Sequence, residues 1–283
     1  MRTVRFELLR PDEILAERDR FPVVYQPIGP LEWHGPHLPF GMDPLHAEAV
    51  ARRVAEMVGG VVMPTLFWGT ERERSPKMLR DLGFNGDEWV VGMDFPAHSM
   101  KSMYTREDIF GVVVRARLDL MVGQGYQLIV IVNGHGADNH IATLSRLATE
   151  FAAESPARVL FITAFKPTEH AAIGHADALE TSLLRALYPD AVDLGRLPNL
   201  PEPLRNIDFG IVDGATFAGQ PTDDHTLRAE HDPRRNSSAR SGRSAGPHPA
   251  AGAAPSAAAP SRRAGSTTRS PGTKRTGSAR LCR

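Results

Sequence analysis

Cysteine is almost absent from this chain of 283 residues: the single one, Cys282, stands second from the end. No internal disulfide and no thiolate metal cluster can form, so any metal would have to be held by histidine, aspartate and glutamate. Long apolar runs are lacking as well. Nothing approaches the roughly 20 residues of a membrane span, and the start, Met1 to Glu7, has no signal-peptide core, so a soluble, cytosolic chain without a membrane partner is expected. Acidic residues are missing from the end. Arg234 to Arg283 holds eleven Lys and Arg and no Asp or Glu, leaving 22 basic against 33 acidic residues before it.

The formal net charge of zero therefore conceals an acidic body and a basic tail. The tail has almost no large apolar residues and cannot offset its own ordering entropy. Two parts are expected: a folded domain over 1–235 and a disordered, low-complexity tail over 236–283. Nucleic-acid arms cluster Lys and Arg more densely and interleave aromatics for stacking, and neither feature is present, so no nucleic-acid partner is expected. A spacer and a reading-frame shift near residue 235 remain, and the abrupt turn to Ala, Arg, Pro, Gly and Ser favours the second.

The body is apolar enough to bury a full core, at 41% over the whole chain. Pro11 to Arg18 has helical spacing with proline in its first turn. Val23 to Gly29 is β-branched and too short for an independent helix, so it reads as a buried strand. Directly after it comes Glu32-Trp33-His34-Gly35-Pro36-His37-Leu38-Pro39-Phe40-Gly41-Met42-Asp43. Two carboxylates and imidazole on a Gly/Pro-rich turn form an oxygen and nitrogen donor set suited to Zn²⁺, Mn²⁺ or Fe²⁺, although an ordinary solvated loop has the same composition. Asp43-Pro44 is a helix start with Asp43 as N-cap, and that helix runs to Gly59-Gly60.

A second strand entering a loop is expected over 61–69, then an irregular insertion to about Thr105 in which His98 and Lys101 either face the site or, as the favoured reading, face water. Such a long connection is usually functional, as a lid or an oligomer contact. A helix follows from Arg106 to Val122. Leu128 to Val132 is the clearest buried strand and runs into Asn133-Gly134-His135-Gly136, where a strand end again delivers a histidine. A helix from His140 to Glu154 and a strand over 158–163 complete an alternation that implies a mostly parallel sheet covered on both faces, with sites beyond the strands' carboxyl ends. In Gly174 to Leu184, a helix from about Ala176 would turn Glu180 inward and leave His175 at its start, disposed to act as a neutral general base; equally, Glu180 could lie on the surface and His175 could be a cap.

Together these stretches resemble the creatininase family of metal-dependent amidohydrolases over roughly residues 5–235. The family pattern Glu-x-His-Gly-Pro-His-Leu-Pro, followed by Asp, stands here as Glu32 to Asp43. Its Asn-Gly-His-Gly turn is Asn133 to Gly136, and its His-Ala-x-x-x-Glu-Thr-Ser stretch is His175 to Ser182. The resemblance implies a three-layer α/β/α fold with a mostly parallel central sheet, two divalent metal ions per subunit (Zn²⁺ or Mn²⁺, with Fe²⁺ an alternative), and a homo-oligomer, commonly a hexamer. It further implies Glu32, His34, Asp43 and His135 as metal ligands with Asp43 bridging, Glu180 as the remaining carboxylate, and His175 as the proton shuttle. The implied reaction is hydrolysis of a C–N bond in a small cyclic amide or formamide. One departure bears on the substrate. The enzyme for which the family is named follows the turn histidine with an aromatic residue and a metal-binding Glu, where this chain has Gly136, Ala137 and Asp138. Either Asp138 or Glu180 could supply the lost ligand, and no substrate-binding residue is legible.

Overall fold

Val23–Gly29 forms the expected strand, β1, and every residue of it is buried. Strand β4 (Leu128–Asn133) runs beside it in the register Val24↔Ile129 and Ile28↔Asn133. Strand β5 (Arg158–Thr163) pairs with β4, and two short pieces, β2 (Val61–Val62) and β3 (Leu66–Phe67), line the other side of β1. All these pairings are parallel. The single strand expected over 61–69 is divided because Pro64 has no N–H to give to a ladder. The computed structural model describes residues 3–96, 98, 100–165 and 173–236. Nearly all of the expected tail, 237–283, lies outside the described residues.

Alternation along the strands sends side chains to two faces. Val24, Ile28, Ile129 and Ile131 pack with Phe110, Val114 and Leu118 of helix α4 (Glu107–Gly123) and with Leu144, Leu147 and Phe151 of helix α5 (Asp138–Glu154). Val23, Tyr25, Val130 and Val132 instead meet Ala47, Ala51 and Ala55 of helix α2 (Met42–Val58). The result is the three-layer α/β/α arrangement, in which each fully buried Leu, Ile or Phe contributes about 1.5–3 kcal/mol of transfer free energy. Helix α1 (Pro11–Arg20) joins the α4/α5 side through Ile14.

Coverage is incomplete on one face. Leu160 and Ile162, opposite Val130 and Val132 in register, are each 41% exposed. Helix α2 packs chiefly on β1 and β4. Among the described residues, no helix is long and apolar enough to cross a membrane.

Two glycines determine how α2 meets the strand ends. A Cβ on Gly134 would lie 2.0 Å from the carbonyl oxygen of Asp43, and one on Gly29 would lie 2.9 Å from the Asp43 Cβ. Bare backbone at both strand ends thus lets the first turn of α2 sit against β1 and β4 together. The insertion is less irregular than its composition suggests. It contains helix α3 (Pro76–Asp81), capped by Ser75, and a small core of Leu79, Leu82, Val90, Met93 and Phe95 packed with Val212.

Candidate metal centre

The three sequence stretches converge beyond the carboxyl ends of β1 and β4. Glu32, His34, Asp43, His135, His175 and Glu180 are all buried, none more than 7% exposed. The stretches reach the cluster by different routes. Glu32 and His34 lie on the loop after β1, closed by the Glu32 N–H donating to the Phe40 carbonyl at 2.9 Å. Asn133 braces the turn after β4, accepting from the His135 N–H at 3.0 Å and donating to the His135 carbonyl at 2.5 Å. Glu180 sits in the first turn of helix α6 (Ala178–Leu187), whose N-cap is Asp177. Its Oε2 accepts from the Ala176 N–H at 2.6 Å.

Asp43 is not the cap of α2. Gly41 holds that position without a side-chain bond, and Asp43 lies inside the first turn. Its two oxygens are used elsewhere: Oδ2 is 2.9 Å from His135 Nδ1, and Oδ1 is 3.1 Å from His34 Nε2. Glu32 Oε2 lies 3.1 Å from the same His135 nitrogen, and Glu180 Oε2 lies 3.6 Å from the same His34 nitrogen. Three groups of potential ligands follow, Glu32–Asp43–His135, His34–Asp43–Glu180 and Glu32–His34–His175, and the first two are triads that share Asp43. Asp138, by contrast, is exposed at the start of α5 and lies outside both triads.

Donor atoms around a tetrahedral ion with bonds of 2.0–2.2 Å stand about 3.3–3.6 Å apart, and the contacts above bracket that separation. His34 Nε2 makes no hydrogen bond although carboxylate oxygens surround it. The His34 Nδ1 faces the Glu32 carbonyl at 3.1 Å; a carbonyl only accepts, so Nδ1 donates and Nε2 is left to bind. Charge points the same way. Three carboxylates buried with imidazoles are costly to desolvate unless cations join them. In the protein alone burial disfavours protonated His34, but Asp43, Glu180 and Glu32 outweigh it and raise its pKa to about 10. Burial, aided by Asp43 and Asp177, pushes Glu180 up to about 8. Burial also opposes the ionised forms of Glu32 and Asp43, yet the neighbouring histidines hold both below the usual carboxylate range.

His175 has a different character. Burial, and then the charge of His34, push it down to about 3, so it is neutral at physiological pH. Its Nε2 lies 2.6 Å from the Trp33 carbonyl and must donate there, which leaves Nδ1 as the proton acceptor. The depression comes from burial and the adjacent imidazole rather than from a helix terminus, since His175 precedes α6 and pairs as a bridge with Val212. A cavity of about 570 Å³ opens over the cluster, lined by Glu32, Asp43, His135, His175 and Glu180 and, from the insertion, by Glu71 to Ser75, Met78 and Met93.

One insertion residue differs from expectation. His98 is buried, stacked on Trp33 with ring centroids 4.4 Å apart, because aromatic contacts with Trp33 and Phe95 outweigh the solvation of its ring. Lys101 is exposed, as expected. Sequence reasoning also passed over Tyr104, whose hydroxyl donates to Glu32 Oε1 at 2.5 Å. No local pattern marks it, since its partner is 72 residues away.

A family model described as creatinine amidohydrolase matches residues 7–259. The creatinine amidohydrolase of Pseudomonas putida is 28% identical over 197 residues, which cover 63% of this chain and 69% of that protein. Among solved structures, a manganese form of creatininase is 23% identical, with a TM-score of 0.55 over 83% of this chain and 92% of its own. A zinc–zinc form of a creatininase variant is likewise 23% identical, with a TM-score of 0.56 over 85% and 91%. At those identities the likeness is one of fold. Because the model match runs over most of the chain rather than over the strand-end loops alone, the likeness carried by three short motifs extends to the whole domain, and the chain belongs to the creatininase family.

Proposed function

We propose that the protein is a metal-dependent amidohydrolase that hydrolyses a C–N bond of a small cyclic amide or formamide with two divalent ions, Zn²⁺ or Mn²⁺, in each subunit. The observation that carries this reading is Asp43, whose oxygens face two separate donor triads. Glu32 and His135 would complete one ion's ligands, and His34 and Glu180 the other's. When bound, such a pair supplies Lewis acidity and lowers the pKa of a water towards neutrality. The chain's own residues do the rest. The buried walls exclude bulk water, Asp43 fixes the spacing of the two triads, and His175 accepts a proton at Nδ1 and returns it to the departing nitrogen.

The test is elemental analysis of fresh protein joined to a screen of creatinine, formamides and small cyclic amides. Two equivalents of metal are expected, with turnover lost in a chelator and restored by Zn²⁺ or Mn²⁺. Metal-free protein, or turnover indifferent to chelation, would overturn the proposal.

Loading should also be linked to pH. Without metal, His34 titrates at about 10 and His135 well above 6.5, where burial opposes protonation but Glu32 and Asp43 prevail. His34 carries a proton at pH 7.5, Glu180, held at about 8, carries one in most molecules, and the raised His135 favours its protonated form. All three must be deprotonated to bind an ion, so binding expels protons, and affinity rises with pH until those groups have lost them. Calorimetry in buffers of different ionisation enthalpy would show the release; heats independent of the buffer would contradict it.

A further inference from the structure

We infer that Tyr104, at the end of the insertion, is a positioning residue for one half of the metal centre: its hydroxyl orients Glu32 towards the ion shared with Asp43 and His135. The inference rests on the two-ion reading above and goes beyond it by making the insertion part of one site and not the other.

The hydroxyl is bonded on both sides. It accepts from the Met93 N–H at 3.2 Å and donates to Glu32 Oε1 at 2.5 Å. An ionised carboxylate can only accept, so the hydroxyl's hydrogen is committed to Glu32. The division of labour on Glu32 then follows: Oε1 is held by Tyr104, while Oε2 is the oxygen 3.1 Å from His135 Nδ1. A carboxylate on a loop can otherwise swing about its terminal torsion, and partners behind a ligand are what set its direction. Backbone contacts on both sides of Glu32 anchor the same segment. The Met103 N–H donates to the Leu31 carbonyl at 2.8 Å, and Ser102 Oγ accepts from the Trp33 N–H at 3.0 Å.

The insertion is also shaped around this hydroxyl. Gly92 adopts a φ of +56°, and a Cβ there would lie 2.5 Å from the Tyr104 oxygen. Among the described residues, no hydrogen bond joins Tyr104 to His34, Asp43 or Glu180, and Glu32 Oε2 stands 3.1 Å from His135 Nδ1 but 3.9 Å from His34 Nε2, so the effect of Tyr104 falls on the Glu32–Asp43–His135 ion.

The two sides can be separated by titrating the metal-free full-length chain with Zn²⁺ against a chromophoric chelator. In Glu180→Gln only the Glu32–Asp43–His135 ion should remain, and adding Tyr104→Phe should weaken it by about 10–100-fold. In His135→Ala only the His34–Asp43–Glu180 ion should remain, and Tyr104→Phe should leave it unchanged. Gly92→Ala, which displaces the hydroxyl without deleting it, should reproduce the selective loss and serves as the second variant if Tyr104→Phe folds poorly. Equal weakening on both sides, as a merely structural role would give, or no weakening on either, overturns the inference. A wild-type chain that binds no Zn²⁺ would instead bring down the two-ion reading itself.

Discussion

Asp43→Ala is expected to lose high-affinity binding of both metal ions and to lower turnover by on the order of 10⁴-fold or more, as happens when groups that act as one unit are broken. The size of the effect follows from sharing. Glu32, His34, His135 and Glu180 each belong to a single triad formed with Asp43, so removing any of them spares the opposite one, whereas Asp43 belongs to both. Its removal also leaves His34 and His135 facing one fewer anion, but the helix loses no cap, because Gly41 and not Asp43 stands at the N-cap of α2. The fold should therefore persist while the metals go. Elemental analysis and circular dichroism on the same sample would check this. An Asp43→Ala protein that keeps two tightly held ions would show that the carboxylate is not a bridge.

His175→Ala should behave in the opposite way, keeping its metals while kcat falls by about 10²–10⁴-fold, the usual worth of a positioned acid–base group. The residue is poised for this because burial and His34 hold it at about 3, so the neutral form is present throughout the range in which the enzyme would work. The sign is clear: a histidine with a depressed pKa is not lost as a base until the pH falls far below neutrality. The complication is structural, since Nε2 also holds the Trp33 carbonyl and Trp33 neighbours both Glu32 and His34. Rescue separates the two roles. Added imidazole should restore part of the rate if proton transfer was lost, but could not repair a displaced loop. Full turnover in His175→Ala with its metals in place would remove the residue from the reaction.

Much of the sheet was legible because its signals are short-range. Val23–Gly29 and Leu128–Asn133 are continuous apolar, β-branched runs, and such runs form buried parallel strands whatever surrounds them. The break at Pro64 was equally available from the missing N–H, though the expectation of one strand over 61–69 ignored it. Helix starts were less secure. Asp43-Pro44 reads as a cap followed by proline, and that local preference lost to a tertiary demand for the carboxylate. His98 shows the same conflict, its polar ring taken from solvent by stacking on Trp33.

By itself the sequence determined which donors exist, that none is a thiolate within the domain, and that two histidine-bearing loops leave the carboxyl ends of strands. Composition, periodicity and glycine placement are properties of neighbours along the chain, and they suffice for that much. Only the tertiary structure decided that Asp43 faces both His34 and His135, that Glu180 and not Asp138 joins the cluster, and that Tyr104 holds Glu32. The Asp43–His135 contact joins residues 92 positions apart and the Tyr104–Glu32 contact residues 72 apart. Such pairings depend on the packing of α2 against Gly29 and Gly134 and on the folding of the insertion over the loop after β1, which no local pattern encodes.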